Sequence, residues 1–467
     1  MKLTLIGGGG VRSPLFVASA LRRAGRVRLT ELCLMDTDAE KLALFGGLCR
    51  EVVRQADSNV RLTLTSDPRE ALEGARYVVT AIRVGGERGR VLDERIALRH
   101  GVLGQETTGP GGFAMALRSI PAILGYAELL EQVSPGAWLF NFTNPAGLVA
   151  QALHTRGFKR AVGICDSANA AQHAVSAWHG IPPQHLRAEV FGLNHLSWTR
   201  RVQHNDRDLL GPLLREPDFL SGTLLRLFDP ALVRQIGMWL NEYLFYYYYA
   251  EQALASIGAH EQTRGEEVLA LTMGLMDQLR TIGVEQAPEA ALAAYHAYQQ
   301  RRHASYMPYS PAEGKPAADS EHANNASAGT PTQHSTLNTQ HSPEGEGYAG
   351  VALGIIEALE TGEPLHTALN VANQGAIAGL HDDDVVEVSC RVDAAGVRPL
   401  PIIGVPEPQE LLMRAVKLYE RLTVAAVFQR SRPLAIQALM AHPLVLSYPR
   451  ARVLVDEYLA AHEIDWE

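Results

Sequence analysis

Apolar positions in the first third of the chain come in short runs separated by stretches of helical period. KLTLI opens the chain after Met1, four glycines break it, and helical spacing runs from Ser13 to Arg23. LTELCLMD is a second run ending in Asp36, Thr37 to Ala56 has the helical period, and RLTLTSD, RYVVTAIRVGG, AWLFNFTN and RAVGIC continue the series. Runs that are apolar without alternation belong to strands buried on both faces, and the helices between them serve as the crossovers of a parallel sheet. The predicted fold class is α/β: a Rossmann-like doubly wound parallel sheet over residues 1–190, with a second α+β domain over residues 191–467.

The pattern changes near Ala188. AEVFGLNHLSWTRRVQ is a long β-rich stretch, Arg234 to Gln252 and Glu266 to Arg280 read as helices, and Val351 to Leu359 as a shorter one. VEVSCRV and PLPIIG read as paired strands, and Gln409 to Glu463 is mainly helical, placed to pack back on the first domain. Ser310 to Gly347 stands apart. It is polar, contains TQHS twice, and has too little apolar surface to offset the entropy of ordering, so it is predicted to be a disordered surface insert.

Composition narrows the class. The 467 residues carry 51 acidic and 42 basic side chains, a net charge of −9, and no basic block that would suit nucleic acid. No run of about 18 apolar residues suggests a membrane span. Four scattered cysteines, Cys33, Cys49, Cys165 and Cys390, point to a reducing, cytoplasmic setting rather than a disulfide framework.

The first site candidate is the glycine run. A phosphate that approaches backbone closely needs positions without Cβ, and a helix N-terminus favours the anion. Gly7, Gly8, Gly9, Gly10 and Val11, between a strand and a helix, meet that need as cofactor-binding residues. Asp36 ends the next strand, where an acid accepts the ribose hydroxyls of NAD and repels the extra phosphate of NADP. In the G-x-G-x-x-G pattern Gly7 and Gly9 fit, and Arg12 stands in the third place.

Four further strings place polar groups where open α/β sheets bind ligands: GQETTGPGG from Gly104, NFTNPAG from Asn141, VGICDSA from Val162 and VFGLNHLSW from Val190. Cys165 and His195 each lie at such a junction, and a thiolate with an imidazole suits a divalent transition metal. Read alone, a cysteine at a strand end is more often a small buried residue, and a histidine after GLN is more often a satisfied hydrogen-bonder. Together with GGGG at Gly7, RVGG at Arg83 and DERIALRHGVLGQETTGPGG from Asp93, these strings resemble the NAD-dependent glycoside hydrolases of family 4, most of all the 6-phospho-β-glucosidases.

The resemblance implies that Cys165 and His195 hold a divalent metal, typically Mn²⁺, and that NAD, bound with the help of Arg83, oxidises the sugar's C3 hydroxyl. That acidifies the C2 proton, a tyrosine removes it, the aglycone leaves from C1, water adds, and the hydride returns. Tyr243 in EYLFYYYY aligns best with that tyrosine, with Tyr246 and Tyr247 as alternatives. Asn144, Asn194, Arg88 and Arg264 are the implied substrate contacts, Arg264 toward a substrate phosphate. Asp166 departs from the phospho-β pattern, which has Asn there, and resembles the phospho-α members, where an Asp assists leaving-group departure. EGEGYAG, with Tyr348, lacks the arginine of the relatives' string, and Ala168 replaces a proline. The expected partner is a sugar, with neither nucleic acid nor membrane, and the resemblance implies a homodimer or homotetramer. The rival readings are a member of the family acting on unphosphorylated glycosides, a lactate- or malate-type dehydrogenase, and a non-catalytic NAD sensor.

Overall fold

The computed structural model describes residues 1–304 and 347–466; the expected insert lies, apart from Gly347, outside them. The predicted apolar runs form β1 (Lys2–Ile6), β2 (Glu31–Met35), β3 (Arg61–Thr65), β4 (Ala75–Thr80), β5 (Trp138–Asn141) and β6 (Ala161–Gly163), all parallel. Helices α1 (Ser13–Val27) and α2 (Ala39–Gln55) connect the first three. The order β3-β2-β1-β4-β5-β6 reverses between β1 and β4, which opens a crevice at the strand C-termini.

The next elements are β7 (Arg187–Leu193), β8 (Leu196–His204), β9 (Arg207–Asp208) and β10 (Trp239–Leu240), which form a small second sheet. Then β11 (Leu365–Ala372), β12 (Val385–Asp393) and β13 (Gly396–Pro399) return to the first sheet, where β11 joins β6 antiparallel at Asn370 and Gly163. Among the described residues the large sheet therefore has nine strands, and residues expected in the second domain join the sheet of the first. The second-half helices also pack back as expected. His462 Nε2 lies 2.6 Å from Asp93 Oδ1, and Tyr458 donates to the Asp93 carbonyl.

Two predicted elements are different. The single helix over Arg234 to Gln252 is broken: Gly237, at φ 67°, closes Pro230–Ile236, and Trp239 and Leu240 pair with Thr199 and Trp198. Asn241 then accepts from the Tyr243 N–H and starts a new turn. PLPIIG pairs with VEVSCRV only at its start: Pro399 lies opposite Cys390 and the Leu400 N–H donates to the Ser389 carbonyl, after which Pro401 has no N–H to continue the ladder; the other edge of β12 is taken by β11. Helix Pro110–Val133 is long and apolar enough to cross a membrane, yet 67% of that window is buried inside the fold, as befits a core helix.

Candidate functional site

A cavity of about 780 Å³ opens at the C-terminal ends of the parallel strands, over the crevice between β1 and β4. Gly7, Gly9, Gly10 and Val11 line one side. Gly7 has φ 97°, and a Cβ there would stand 2.5 Å from the Ala81 carbonyl oxygen. At Gly9 a Cβ would meet the Asp36 carboxylate at 2.9 Å; its N–H donates to Asp36 Oδ2 at 2.9 Å instead. Gly8 does not line the cavity. It lets the loop lie on β2, where a Cβ would reach Leu34 at 2.6 Å. The second Asp36 oxygen accepts from the Asp38 N–H, so its carboxylate is held at the cavity wall. These features fit a dinucleotide: glycines open the approach to a helix start, and an oriented acid stands at the end of β2.

The opposite side is built by β6 and the turn between β7 and β8. Cys165 follows β6, and His195 occupies that turn with φ 62°, a strained conformation for a residue with a Cβ. The two converge, with Cys165 Sγ 3.4 Å from His195 Nε2. Thr107 Oγ1 lies 2.9 Å from His195 Nδ1 and donates its own hydrogen to Gln105 Oε1. With that hydrogen on Gln105 the threonine accepts from Nδ1–H, which leaves the Nε2 lone pair facing the sulfur. This is the tautomer that metal ligation requires. Burial lowers the His195 pKa to about 4, which keeps the ring neutral. Burial, with the nearby Glu387 and Asp166 charges, pushes the Cys165 thiol well up, so a cation is needed to hold the thiolate. Soft sulfur and neutral imidazole, buried together, suit a divalent transition metal.

Tyr243 stacks on His195 with ring centroids 3.8 Å apart and planes within 2°. Tyr246 also lines the cavity, whereas Tyr247 lies beside His442 instead. Asp166, Asn144, Arg83 and Arg264 line it too. Arg83 pairs with Glu106 at 2.6 Å, and Arg264 with Glu267 at 2.6 Å. Two expected substrate contacts do not reach the cavity. Arg88 is exposed and is not part of the cavity wall, which Arg90 lines instead. Asn194 is a brace: it accepts from the Gly147 N–H and donates to Glu387, tying the His195 turn to β12.

Three acids, Glu106 partly buried and Glu242 and Glu387 buried, were not singled out from the sequence. Glu106 lies between Arg83 and Arg90; burial pushes its carboxyl up, but the two arginines hold it well below the usual range. Glu387, on β12, receives Asn194 and Asn370, and burial raises its pKa to about 7. Glu242 lines the cavity at 3% exposure, its Oε2 has no partner among the described residues, and burial raises its pKa to about 8. Only the neighbouring Tyr243 could have drawn attention to it.

A pH dependence of stability follows. Glu242 and Glu387 bind their protons more tightly folded than unfolded, so their stabilising contribution is whole below the ordinary glutamate pKa and is lost as pH rises through about 7 and about 8. In metal-free protein the Tm is expected to fall between about pH 5 and about pH 8, and Glu242→Gln to reduce that fall. Calorimetry at both pH values checks this; an unchanged fall in the variant removes Glu242 from the explanation.

Comparison with known proteins adds the following. Residues 2–180 match the model of family 4 glycosyl hydrolases, and residues 190–445 that of the same family's C-terminal domain. A probable 6-phospho-beta-glucosidase of Bacillus subtilis (strain 168) is 28% identical, the alignment covering 99% of this chain and 96% of the relative. The structure of the Thermotoga maritima 6-phospho-beta glucosidase with manganese, NAD+ and glucose-6-phosphate superposes with a TM-score of 0.79 at 27% identity, covering 100% of both chains. A 6-phospho-alpha-glucosidase from gut microorganisms, in complex with NAD and glucose-6-phosphate, gives 0.77 at 25% identity, covering 100% of this chain and 99% of that one.

Proposed function

Since the chain belongs to the family 4 glycosyl hydrolases, we propose that it hydrolyses the glycosidic bond of a 6-phosphorylated glucoside, using NAD and a divalent metal that it retains unchanged. The observation that carries this reading is the meeting, in one cavity, of the glycine loop and Asp36 with the Cys165–His195 pair. Among the relatives are both a 6-phospho-β- and a 6-phospho-α-glucosidase, so the anomer is part of the test.

Gly7, Gly9 and Gly10 would admit the dinucleotide's pyrophosphate, and Asp36 would accept its ribose hydroxyls. Cys165 and His195 would hold the metal. When bound, the dinucleotide supplies a hydride acceptor and donor for the sugar's C3, and the metal polarises the adjoining oxygens. Tyr243 takes the proton from C2, the step that expels the aglycone. Asp166, just past Cys165, assists its departure. Asn144 and Arg264 contact the sugar and its phosphate from the cavity wall. The proposed setting is the cytoplasm and the proposed assembly a homodimer or homotetramer, which light scattering after gel filtration checks.

The test is release of a chromogenic aglycone from α- and β-glucosides, with and without a 6-phosphate, NAD⁺ and Mn²⁺. Release is expected only from a 6-phosphorylated substrate with both additions present. Release that needs neither NAD⁺ nor metal would refute the reading.

Asp36 also makes a prediction about cofactor choice. Its carboxylate opposes a 2′-phosphate, so affinity for NAD⁺ should clearly exceed that for NADP⁺, and Asp36→Ala should narrow the gap. Titration of both dinucleotides measures this, and equal wild-type affinities would take the role from Asp36.

A further inference from the structure

Dinucleotide loops of this kind place a third small residue where the helix begins; here the residue is Arg12, the N-cap of α1. Its guanidinium carbon lies 5.4 Å from the Phe142 ring centroid and 5.8 Å from that of Tyr348. Those rings stack on each other at 4.1 Å, and Tyr348 is buried, so the platform is rigid. A guanidinium resting its face on an aromatic ring keeps its N–H edge for an oxyanion. Among the described residues no carboxylate pairs with Arg12, although Glu87, Glu94 and Glu106 line the same cavity; Arg83 and Arg90 engage all three.

A second guanidinium lines that cavity. Arg302 comes from helix Pro288–Ala304 and donates to the Tyr298 hydroxyl at 2.7 Å, while its carbonyl receives Arg264. On the same helix the Tyr295 hydroxyl and Gln299 Nε2 donate to the Val11 carbonyl at 2.9 and 3.2 Å, which sets the Arg302 end of that helix against the loop that carries Arg12; burial lowers the Arg302 pKa. Charges of one sign brought together in a partly desolvated cavity gain most when an anion lies between them.

We propose that Arg12 and Arg302 form a clamp for a phosphoryl group at the start of α1, contributed by the dinucleotide's pyrophosphate or by the 6-phosphate of the sugar. The clamp rests on the function proposed above for the identity of those two ligands. The third glycine of such loops serves helix–strand packing, so an arginine in its place adds phosphate donors that the loop's own backbone does not supply.

The experiment measures binding of NAD⁺, glucose 6-phosphate, glucose and inorganic pyrophosphate by calorimetry, using the full chain as wild type, Arg12→Ala, Arg12→Lys and Arg302→Gln. Arg12→Ala should weaken the clamped ligand by about 10- to 100-fold, the range for charge-assisted hydrogen bonds, with glucose unaffected. Arg12→Lys should recover part of the loss, since a point charge replaces the fork. Loss confined to NAD⁺ identifies the pyrophosphate as the clamped group, and loss confined to glucose 6-phosphate identifies the sugar phosphate. Both affinities within about twofold of wild type, in variants that keep the wild-type Tm, would overturn the clamp. If wild type binds neither ligand, the functional reading fails; the clamp then stands or falls on whether inorganic pyrophosphate binds in an Arg12-dependent way.

Discussion

Tyr243→Phe is expected to lower kcat by about 10²- to 10⁴-fold, the usual contribution of a positioned general base, with folding and metal binding retained. The ring of Tyr243 lies on His195 with planes within 2°, and phenylalanine keeps that stack while removing the hydroxyl. In deuterated water the wild type should release sugar carrying deuterium at C2, because the proton taken there is replaced from solvent. Tyr246 lines the same cavity, so Tyr246→Phe is the matched control and should cost far less. Hydrolysis without deuterium incorporation and without any need for NAD⁺ would sink the scheme and leave direct displacement at C1.

His195→Ala and Cys165→Ser should each weaken Mn²⁺ binding by more than about 100-fold, since even supporting residues of metal sites typically contribute 10- to 100-fold. Activity should fall with occupancy. Thr107→Val tests the geometry behind the pair. It removes the hydroxyl that lies 2.9 Å from His195 Nδ1 and orients the ring, and a loss of about 10- to 100-fold in Mn²⁺ affinity is expected although Thr107 itself need not touch the ion. Because burial holds the Cys165 thiol protonated without a cation, metal binding should also release a proton. Calorimetry in two buffers of different ionisation heat reads that proton. Wild-type Mn²⁺ affinity in His195→Ala would remove the pair from the metal site.

The parts of the site readable in the chain were those that depend on local chemistry. Glycines after a strand, an acid at the end of the next strand, and a cysteine and a histidine at strand ends each suit, by local chemistry, the ligand proposed for them, and the structure lines one cavity with all of them except Gly8. Membership of a motif did not tell which side of an element faces the cavity. Arg88 and Arg90 lie two residues apart on the helix Gly86–Arg99, yet only Arg90 lines the wall. Asn194 stands next to His195 and serves as a brace rather than a contact. Glu242 and Glu387 carry no periodic or spacing signal. Their raised pKa values arise from burial, which no short string encodes.

Sequence by itself determined the order of strands and helices in the first half, the glycine loop after β1, and the residue types that meet in the cavity. Strand and helix periods express a local rule, burial on two faces or on one, and glycine and aspartate act where they stand. Tertiary structure alone decided where the run from Arg234 to Gln252 breaks, because Trp239 and Leu240 are claimed by the edge of β8. It also decided that β11 to β13 complete the first sheet, and that Glu387 reaches the His195 turn from the far half of the chain. Backbone hydrogen bonds and buried carboxyls must find partners wherever the packed chain offers them, and those partners lie far away in sequence.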